Sequence, residues 1–479
     1  MIPRLAVAPL IVACALFMEN IDATVITTSL PAIAADLGED PIALKLALTS
    51  YLLSLAVFIP ISGWMADRYG ARTVFRAAIV VFTLGSLACG FAQSLPDFIL
   101  YRVIQGMGGA MMTPVGRLVI VRTVPRHELV AVLAWLVVPA LLGPVIGPPL
   151  GGFITTYFHW RWIFWINIPI GLLGVWLASR FIENFREKDV PPLDRRGFVL
   201  LGIALSGLAF GFTTIGQTLL PPAAAVGLIV IGAIFLYAYV RHARNHRAPV
   251  LNLKLLSTPT FRASVVGGSL FRLGIGALVF LLPLQLQLGF GLSPFASGML
   301  TFAGAIGAML MRTTAAPILR RFGIRRVIVY NTVIASGMIA ACALFVPGVP
   351  YAFIIGVLLV GGFFRSLQFT SLNSLAYADI SDRSMSQATS FTSVAQQLSI
   401  SSGVTVAALV LESMRHVRGG TDILVSDFQI AFLVVGAISM CSILFVLPLP
   451  WDAGAALVRR PTTAKEAATE AATETERQI

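Results

Sequence analysis

Charge is what this sequence is short of. Of its 479 residues only 12% are charged, about half the share usual in a soluble domain. What charge there is leans one way, with 34 Lys and Arg against 22 Asp and Glu and a formal net charge of +12. Cysteine is scarce: Cys14, Cys89, Cys342 and Cys441 show no C-x-x-C spacing and no neighbouring histidine. That excludes a disulfide framework and a zinc ribbon, and the four read as buried thiols. The five histidines fall in loops or at helix ends, and none is read as having the i,i+4 spacing of a metal pair. A G-x-x-x-x-G-K-[ST] phosphate loop, a G-x-S-x-G elbow and an H-E-x-x-H helix are all missing. Their absence argues against ATP drive and against an enzyme. There is no N-x-[ST] acceptor and no small-residue cleavage pattern after the first apolar run. Both points favour a bacterial inner membrane without a cleaved signal peptide.

What is there is apolar surface in long blocks. Hydrophobic residues make up 57% of the chain, and mean hydropathy is +0.86. The blocks are about twenty residues long, enough to cross a bilayer as helices, whereas barrel strands would alternate over about ten. The expected fold class is therefore an all-α polytopic membrane protein. Fourteen spans are predicted, at 6–31, 47–65, 74–92, 97–120, 128–156, 163–182, 198–216, 222–240, 262–288, 295–316, 327–346, 351–376, 386–412 and 428–449. Loops after even-numbered spans hold the cations: Arg68, Arg72 and Arg76; Arg122 and Arg126; Arg186, Lys188, Arg195 and Arg196; Arg241, Arg244, Arg247 and Lys254; Arg320, Arg321, Arg325 and Arg326. The opposite loops carry only Lys45, Arg161, Arg415 and Arg418, diluted by Glu39, Asp40 and Asp422. The excess of cations on one side places both termini in the cytoplasm. After the twelfth span the pattern is weakest, with Arg383 set against Asp379 and Asp382.

The chain repeats itself. GWMADRYGARTVF (63–75) follows the second span and ILRRFGIRRVIV (318–329) follows the tenth. YRVIQGMGG (101–109) and GGFFRSLQF (361–369) each put an arginine in a span. Internal repeats with a midplane site between them are typical of secondary transporters. The repeat divides the chain into a six-helix half (1–185), a linker with two extra spans (186–250), a second six-helix half (251–450) and a polar cytoplasmic tail (451–479).

The stretch Leu16–Pro31 holds the most expensive residues, Glu19 and Asp22, two acids on one face of a membrane helix. A carboxylate there costs about 2.5–3.5 kcal/mol on insertion scales and marks an ion or substrate pathway. In the turn after span two, Gly63 and Gly70 permit a tight connection, and Asp67 is placed to cap the next helix or pair with Arg68 or Arg72. The spacing G-x-M-A-D-R-x-G-x-R resembles the loop 2–3 signature of the major facilitator superfamily. Arg102-x-x-Gln105-Gly106 is similar to that superfamily's helix-4 motif, which implies proton coupling by Arg102 with Asp22 as its partner. Gly143, Gly147, Pro148, Gly151 and Gly152 resemble the antiporter motif of its drug:proton exporters. Gly298, Gly304 and Gly307 of span ten are the expected packing partners. HWRWIFWINIPIG (159–171) and Asp22-Ala23-Thr24 with Ser29-Leu30-Pro31 resemble the fourteen-helix EmrB/QacA branch, nearest to MdtD-like multidrug permeases. Trp160, Trp162 and Trp165 also suit an interfacial belt.

By this resemblance the cavity is lined by spans 1, 4, 9 and 12. They carry Glu19 and Asp22, Arg102 and Gln105, Arg272, and Arg365. That gives a polarised cavity, with acids plus one arginine in the first half and arginines alone in the second. Phe271, Phe280, Phe363, Phe364 and Phe369 would line or pack it. Glu19 stands outside the branch motif and is a second proton or substrate site, or a partner for Arg272 or Arg365. The expected activity is proton-coupled export of small amphipathic or drug-like solutes by alternating access. Two other readings are export of an organic anion or metal chelate, which arginines suit, and export of a lipid or lipid-linked molecule. The expected partners are protons, membrane lipid and a small-molecule substrate, with no nucleic acid, no cofactor beyond the proton gradient, and a monomeric chain.

Overall fold

The computed structural model describes residues 4–124, 129–187, 189–190, 192–215, 220–381, 384–420 and 422–454, and of these the side chains of 4–7 and 129–141 are not described. The polar tail beyond 454 and the expected loop charges Arg126, Lys188, Asp382 and Arg383 lie outside the described residues. Every described element is helical. In chain order the long helices are α1 (Arg4–Val25), α2 (Lys45–Tyr69), α3 (Ala71–Cys89), α4 (Leu95–Thr123), α5 (Leu129–Tyr157), α6 (Asn167–Phe181), α7 (Arg195–Thr214), α8 (Pro222–Asn245), α9 (Gly268–Leu284), α10 (Pro294–Phe322), α11 (Ile324–Ala341), α12 (Tyr351–Tyr377), α13 (Met385–Arg418) and α14 (Val425–Met440). Among the described residues, 12 helices are long and apolar enough to cross a membrane. Helices α4 and α5 stand outside that number. Asp97, Arg102, Arg117 and Arg122 lie along α4, and α5 begins among the side chains that are not described.

Local chemistry sets the helix ends. Ser94 caps α4 by accepting from the Asp97 amide at 3.3 Å and donates to the Asp97 carboxylate at 2.7 Å. Ser293 caps α10 through the Ala296 amide at 3.2 Å. The α2–α3 and α10–α11 turns pivot on Gly70 and Gly323, with φ of 95° and 78°. Only glycine adopts that conformation without strain, and its recurrence is the clearest trace of the internal repeat. At Gly70 the Asn184 side chain also fills the place a Cβ would take.

The two halves are joined at the end of the bundle where α1 leads toward α2, the distal end. The Lys45 ammonium donates to Glu412 at 2.9 Å and is fully buried. Arg415 pairs with Asp40 beside it. Gln287 donates to the Thr28 carbonyl at 2.9 Å, and the Phe295 amide to the Thr156 hydroxyl at 3.0 Å. The Phe295 ring packs edge-on against Phe153 and Tyr157. A contiguous apolar core drawn from both halves, including Leu30, Leu46, Phe98, Phe164, Phe280, Leu284 and Phe428, fills the space beneath. The loop charges Lys45, Asp40 and Arg415, expected to be only sparse loop residues, thus tie the halves together.

The inserted pair α7 and α8 sits against the seam. Phe198 of α7 packs on Phe58 of α2, and Thr213 hydrogen-bonds Thr405 of α13 at 3.0 Å. Helix α8 lies outermost, with Val226, Val230, Ile234 and Tyr237 exposed.

Two sequence expectations need correction. Cys14 and Cys441 are exposed, and only Cys89 and Cys342 are buried. Trp160, assigned to an interfacial belt, is buried and donates through Nε1 to Asp36 at 3.0 Å, while Trp162 is exposed. Partial burial pushes the Asp36 carboxyl up, but hydrogen bonds from Trp160 and Arg161, with the charges of Arg161 and His159, hold it below its usual range.

Candidate functional site

The site is built on Asp22, which α1 carries into the bundle with no exposed surface. Arg102 on α4 donates through Nη1 to Asp22 Oδ2 at 2.6 Å. Gln105, one turn on, donates to Oδ1 at 2.8 Å, and Asn167 at the start of α6 donates to the same oxygen at 3.1 Å. The R-x-x-Q spacing works because residues three apart share a helix face. Arg102 Nη1 also donates to Gln105 Oε1 at 2.7 Å, so the three side chains close a ring. Asn167 is held in turn by Ser86 at 3.0 Å, which donates to the Phe164 carbonyl at 2.8 Å. The Arg102 guanidinium lies over the Tyr51 ring at 4.2 Å. A buried ion pair is tolerable only when its remaining atoms are satisfied. Here each carboxylate oxygen is, while Arg102 Nε has no acceptor among the described residues.

Glu19 is not part of this ring. It is half-buried and accepts from Thr113 of α4 at 2.8 Å. The exposed Arg117, one turn further along α4, acts on it electrostatically. Neither Arg272 nor Arg365 is its partner among the described residues.

The motif loop behaves differently from its simplest reading. Asp67 pairs with Arg122 of α4 at 3.0 Å rather than with Arg68 or Arg72. Arg122 also holds Glu187 at 2.8 Å, and the Glu187 amide returns to the Asp67 carbonyl at 3.1 Å. Arg72 reaches the Ile182 carbonyl at 3.5 Å. The loop thus links α2, the end of α4 and the segment after α6. Gly63 has open space where a Cβ would stand, and Arg68 points into a recess beside the insert.

In the glycine-rich helix α5, three of the motif glycines face α1, not α10. A Cβ on Gly143 would stand 2.7 Å from Asn20 Cβ, Gly147 lies against Thr24, and a Cβ on Gly151 would stand 2.8 Å from the Thr28 hydroxyl. Gly152 and Pro148 do meet α10, at Pro294 and Gly298. Gly304 and Gly307, expected to join this seam, face α12 instead. The motif therefore packs α5 against the same helix that carries Glu19 and Asp22, and touches the other half only near the distal end.

The Major Facilitator Superfamily model matches residues 12–404. The chain belongs to the major facilitator superfamily. It is accordingly a transporter and not an enzyme. Two similar relatives both bear the name "Putative multidrug resistance protein MdtD". That of Pectobacterium atrosepticum is 40% identical over 402 residues, covering 84% of this chain and 86% of its own. That of Escherichia coli O157:H7 is 37% identical over 445 residues, covering 92% of each. Among solved structures, a POT family transporter in complex with 5-aminolevulinic acid superposes with a TM-score of 0.68 at 14% identity, covering 93% of this chain and 95% of that one. A D-xylose–proton symporter gives 0.66 at 14% identity, covering 94% and 98%. These structural likenesses speak for the fold alone.

In the second half of this transporter the arginines are held by other means. Arg272 is fully buried, donates to Asn373 at 3.0 Å and to the Ser264 carbonyl at 3.4 Å, and lies 5.5 Å from the Phe369 ring. Gln396 of α13 shares Asn373 at 2.9 Å. Arg365 is half-buried and makes no hydrogen bond or ion pair among the described residues. Its guanidinium lies 3.1 Å and 3.3 Å from where Cβ atoms on Gly304 and Gly361 would be. Gly304 stands as far ahead of Gly323 as Tyr51 does of Gly70. Arg365 therefore occupies on α10 the place that Arg102 occupies over Tyr51 on α2. Gln368, the second half's counterpart of Gln105 in spacing, turns to α11 and bonds Thr332 at 2.6 Å and Asn331 at 2.9 Å. Phe271 and Phe280 are buried in packing, while Phe363, Phe364 and Phe369 are half-exposed.

Sequence reasoning missed Asn167, Ser86 and Tyr51. Asn167 lies inside the I-N-x-P motif as a polar side chain in an otherwise apolar string, and that is the signal that could have found it.

Proposed function

We propose that this chain is a proton-coupled antiporter that exports small amphipathic or drug-like solutes by alternating access. On this reading α4 and α5 also span, making fourteen membrane helices, with both termini in the cytoplasm of a bacterial inner membrane. The protein works as a monomer in lipid and needs no cofactor beyond the proton gradient. The observation that carries the reading is the buried Asp22, ion-paired with Arg102 at 2.6 Å and held by Gln105 and Asn167.

A proton on Asp22 removes the charge that Arg102 pairs with. Arg102 then keeps only Gln105 and the Tyr51 ring, and α1 is freed from α4 at that level. Because α5 packs its glycines on α1, a shift of α1 is passed to the seam between the halves. Proton entry from outside and release inside, tied to rocking of the halves, drives one export step. Glu19, with Thr113 and Arg117, serves as a second acid on the same face.

An organic anion or an anionic chelate is the second reading, favoured by the lack of a hydrogen-bond or ion-pair partner for Arg365 among the described residues. A cavity arginine without an acceptor suits a carboxylate or phosphate. Flux in proteoliposomes with and without an imposed pH gradient tests the antiport. A lipophilic cation, an organic anion and a labelled phospholipid serve as probes. Export against a gradient only when protons flow inward supports the reading. Equal flux without a pH gradient would make the protein a uniporter, and movement of the lipid alone would assign it a lipid substrate.

A further inference from the structure

Away from the Asp22 site, the base of the inserted hairpin gathers Asp194, His242 and His246. The two histidines, read from the sequence as loop or helix-end residues without i,i+4 spacing, in fact stand four apart at the end of α8 and so share one face, which corrects that reading. Asp194 is the residue before α7. It is almost fully buried, and its Oδ1 caps that helix by accepting from the Gly197 amide at 2.8 Å. The chain returns through α8 to the point where it entered α7, which brings all three side chains together. We infer that these three residues form a binding site for a divalent transition-metal ion of the zinc class.

Four observations carry this. His242 Nε2 lies 2.8 Å from Asp194 Oδ1, and His246 Nδ1 lies 4.0 Å from Asp194 Oδ2. One ligand atom from each residue falls within 4.8 Å of the others, a spread that a small shift brings onto an ion with bonds of about 2.0–2.2 Å. Asp194 Oδ2 is buried and accepts no hydrogen bond among the described residues. A buried carboxylate oxygen without a donor is costly unless a cation meets it. The imidazole rings stack with centroids 5.0 Å apart and 29° between planes. Two imidazolium ions would repel in that arrangement, whereas two neutral rings can share a metal. A simple Asp–His hydrogen bond accounts for Oδ1 and His242 and leaves the buried Oδ2 unexplained.

The donor set, two imidazoles and one carboxylate, suits Zn²⁺, Co²⁺ or Ni²⁺ and not Mg²⁺ or Ca²⁺, which take oxygen ligands. The remaining positions open onto a recess lined also by Trp64, Tyr69, Arg68, Arg195 and Arg196, where water completes the shell. The three arginines oppose a dication. All three are exposed, so water and salt screen them. His246 Nδ1 at present accepts from the Ala248 amide at 3.3 Å, a long bond that the ion would replace. An ion here would fasten the start of α7 to the end of α8, next to the α2–α3 motif turn.

The test uses the full chain without a histidine tag, in detergent or nanodiscs, titrated with CoCl₂ and ZnCl₂ alone. Binding of one Co²⁺ per chain, with visible d–d absorption that Zn²⁺ displaces, is expected. Zn²⁺ should also raise Tm by on the order of 5 °C at saturation. His246→Ala, at a half-exposed position, should keep the metal-free Tm and lose both signals. Asp194→Asn, which retains a capping side chain, should lose them too, and His416→Ala should change nothing. Absence of Co²⁺ binding, or binding unchanged in His246→Ala, would overturn the site and leave the transport reading untouched.

Discussion

In the first half the buried guanidinium of Arg102 meets a carboxylate, an amide and an aromatic face. In the second half Arg272 meets an amide and a carbonyl, and Arg365 makes no hydrogen bond or ion pair among the described residues. The helices, the turn glycines and the R-x-x-Q spacing are shared, yet the charges are settled to different degrees. A settled pair resists change until a proton arrives, which suits an ion switch. An unsettled cation waits for an anion, which suits a recognition site. On the proposed reading, the same repeat would supply a coupling element on one side and a substrate-binding element on the other.

This difference between the halves predicts an order of effects on stability. Arg102→Ala leaves Asp22 buried and unpaired and should cost about 3–5 kcal/mol, read as a large fall in detergent Tm. Pairing it with Asp22→Asn should recover most of the loss, and no recovery would mean the two charges are not coupled. Arg272→Ala leaves Asn373 and Ser264 without a donor but strands no charge. It should cost roughly 1–3 kcal/mol and leave the KM for any solute unchanged. A changed KM would move Arg272 into the binding site. Arg365→Gln should barely alter Tm and should weaken transport of an organic anion by about tenfold or more. A fall in Tm without a change in transport would make Arg365 structural and erase the difference between the halves.

Much of this is legible in the sequence. Apolar block length marks the helices, and loop charge marks their alternation. The pairing of Arg102 with Asp22 is implied by the resemblance of R-x-x-Q-G to the family's helix-4 motif, and the 2.6 Å ion pair agrees with it. The rest depends on contacts between distant segments. Asp67 finds Arg122 and not its own neighbours because the end of α4 and the segment after α6 converge on the loop. Lys45 and Glu412 lie 367 residues apart, so nothing local to either residue marks them as partners. The glycines of α5 announce a close approach, but which helix approaches is a property of the bundle. His242 and His246 have visible helical spacing, and their third partner, Asp194, is brought to them only by the return of the hairpin.

Asp22→Asn in proteoliposomes tests the central claim most directly, with two fluxes measured in the same vesicles: solute export driven by a pH gradient, and solute exchange at equal pH. Asparagine keeps the shape and can accept one hydrogen bond from Arg102, but it cannot carry the proton. The predicted result is loss of gradient-driven export with exchange retained. Gradient-driven export at the wild-type rate would contradict the account.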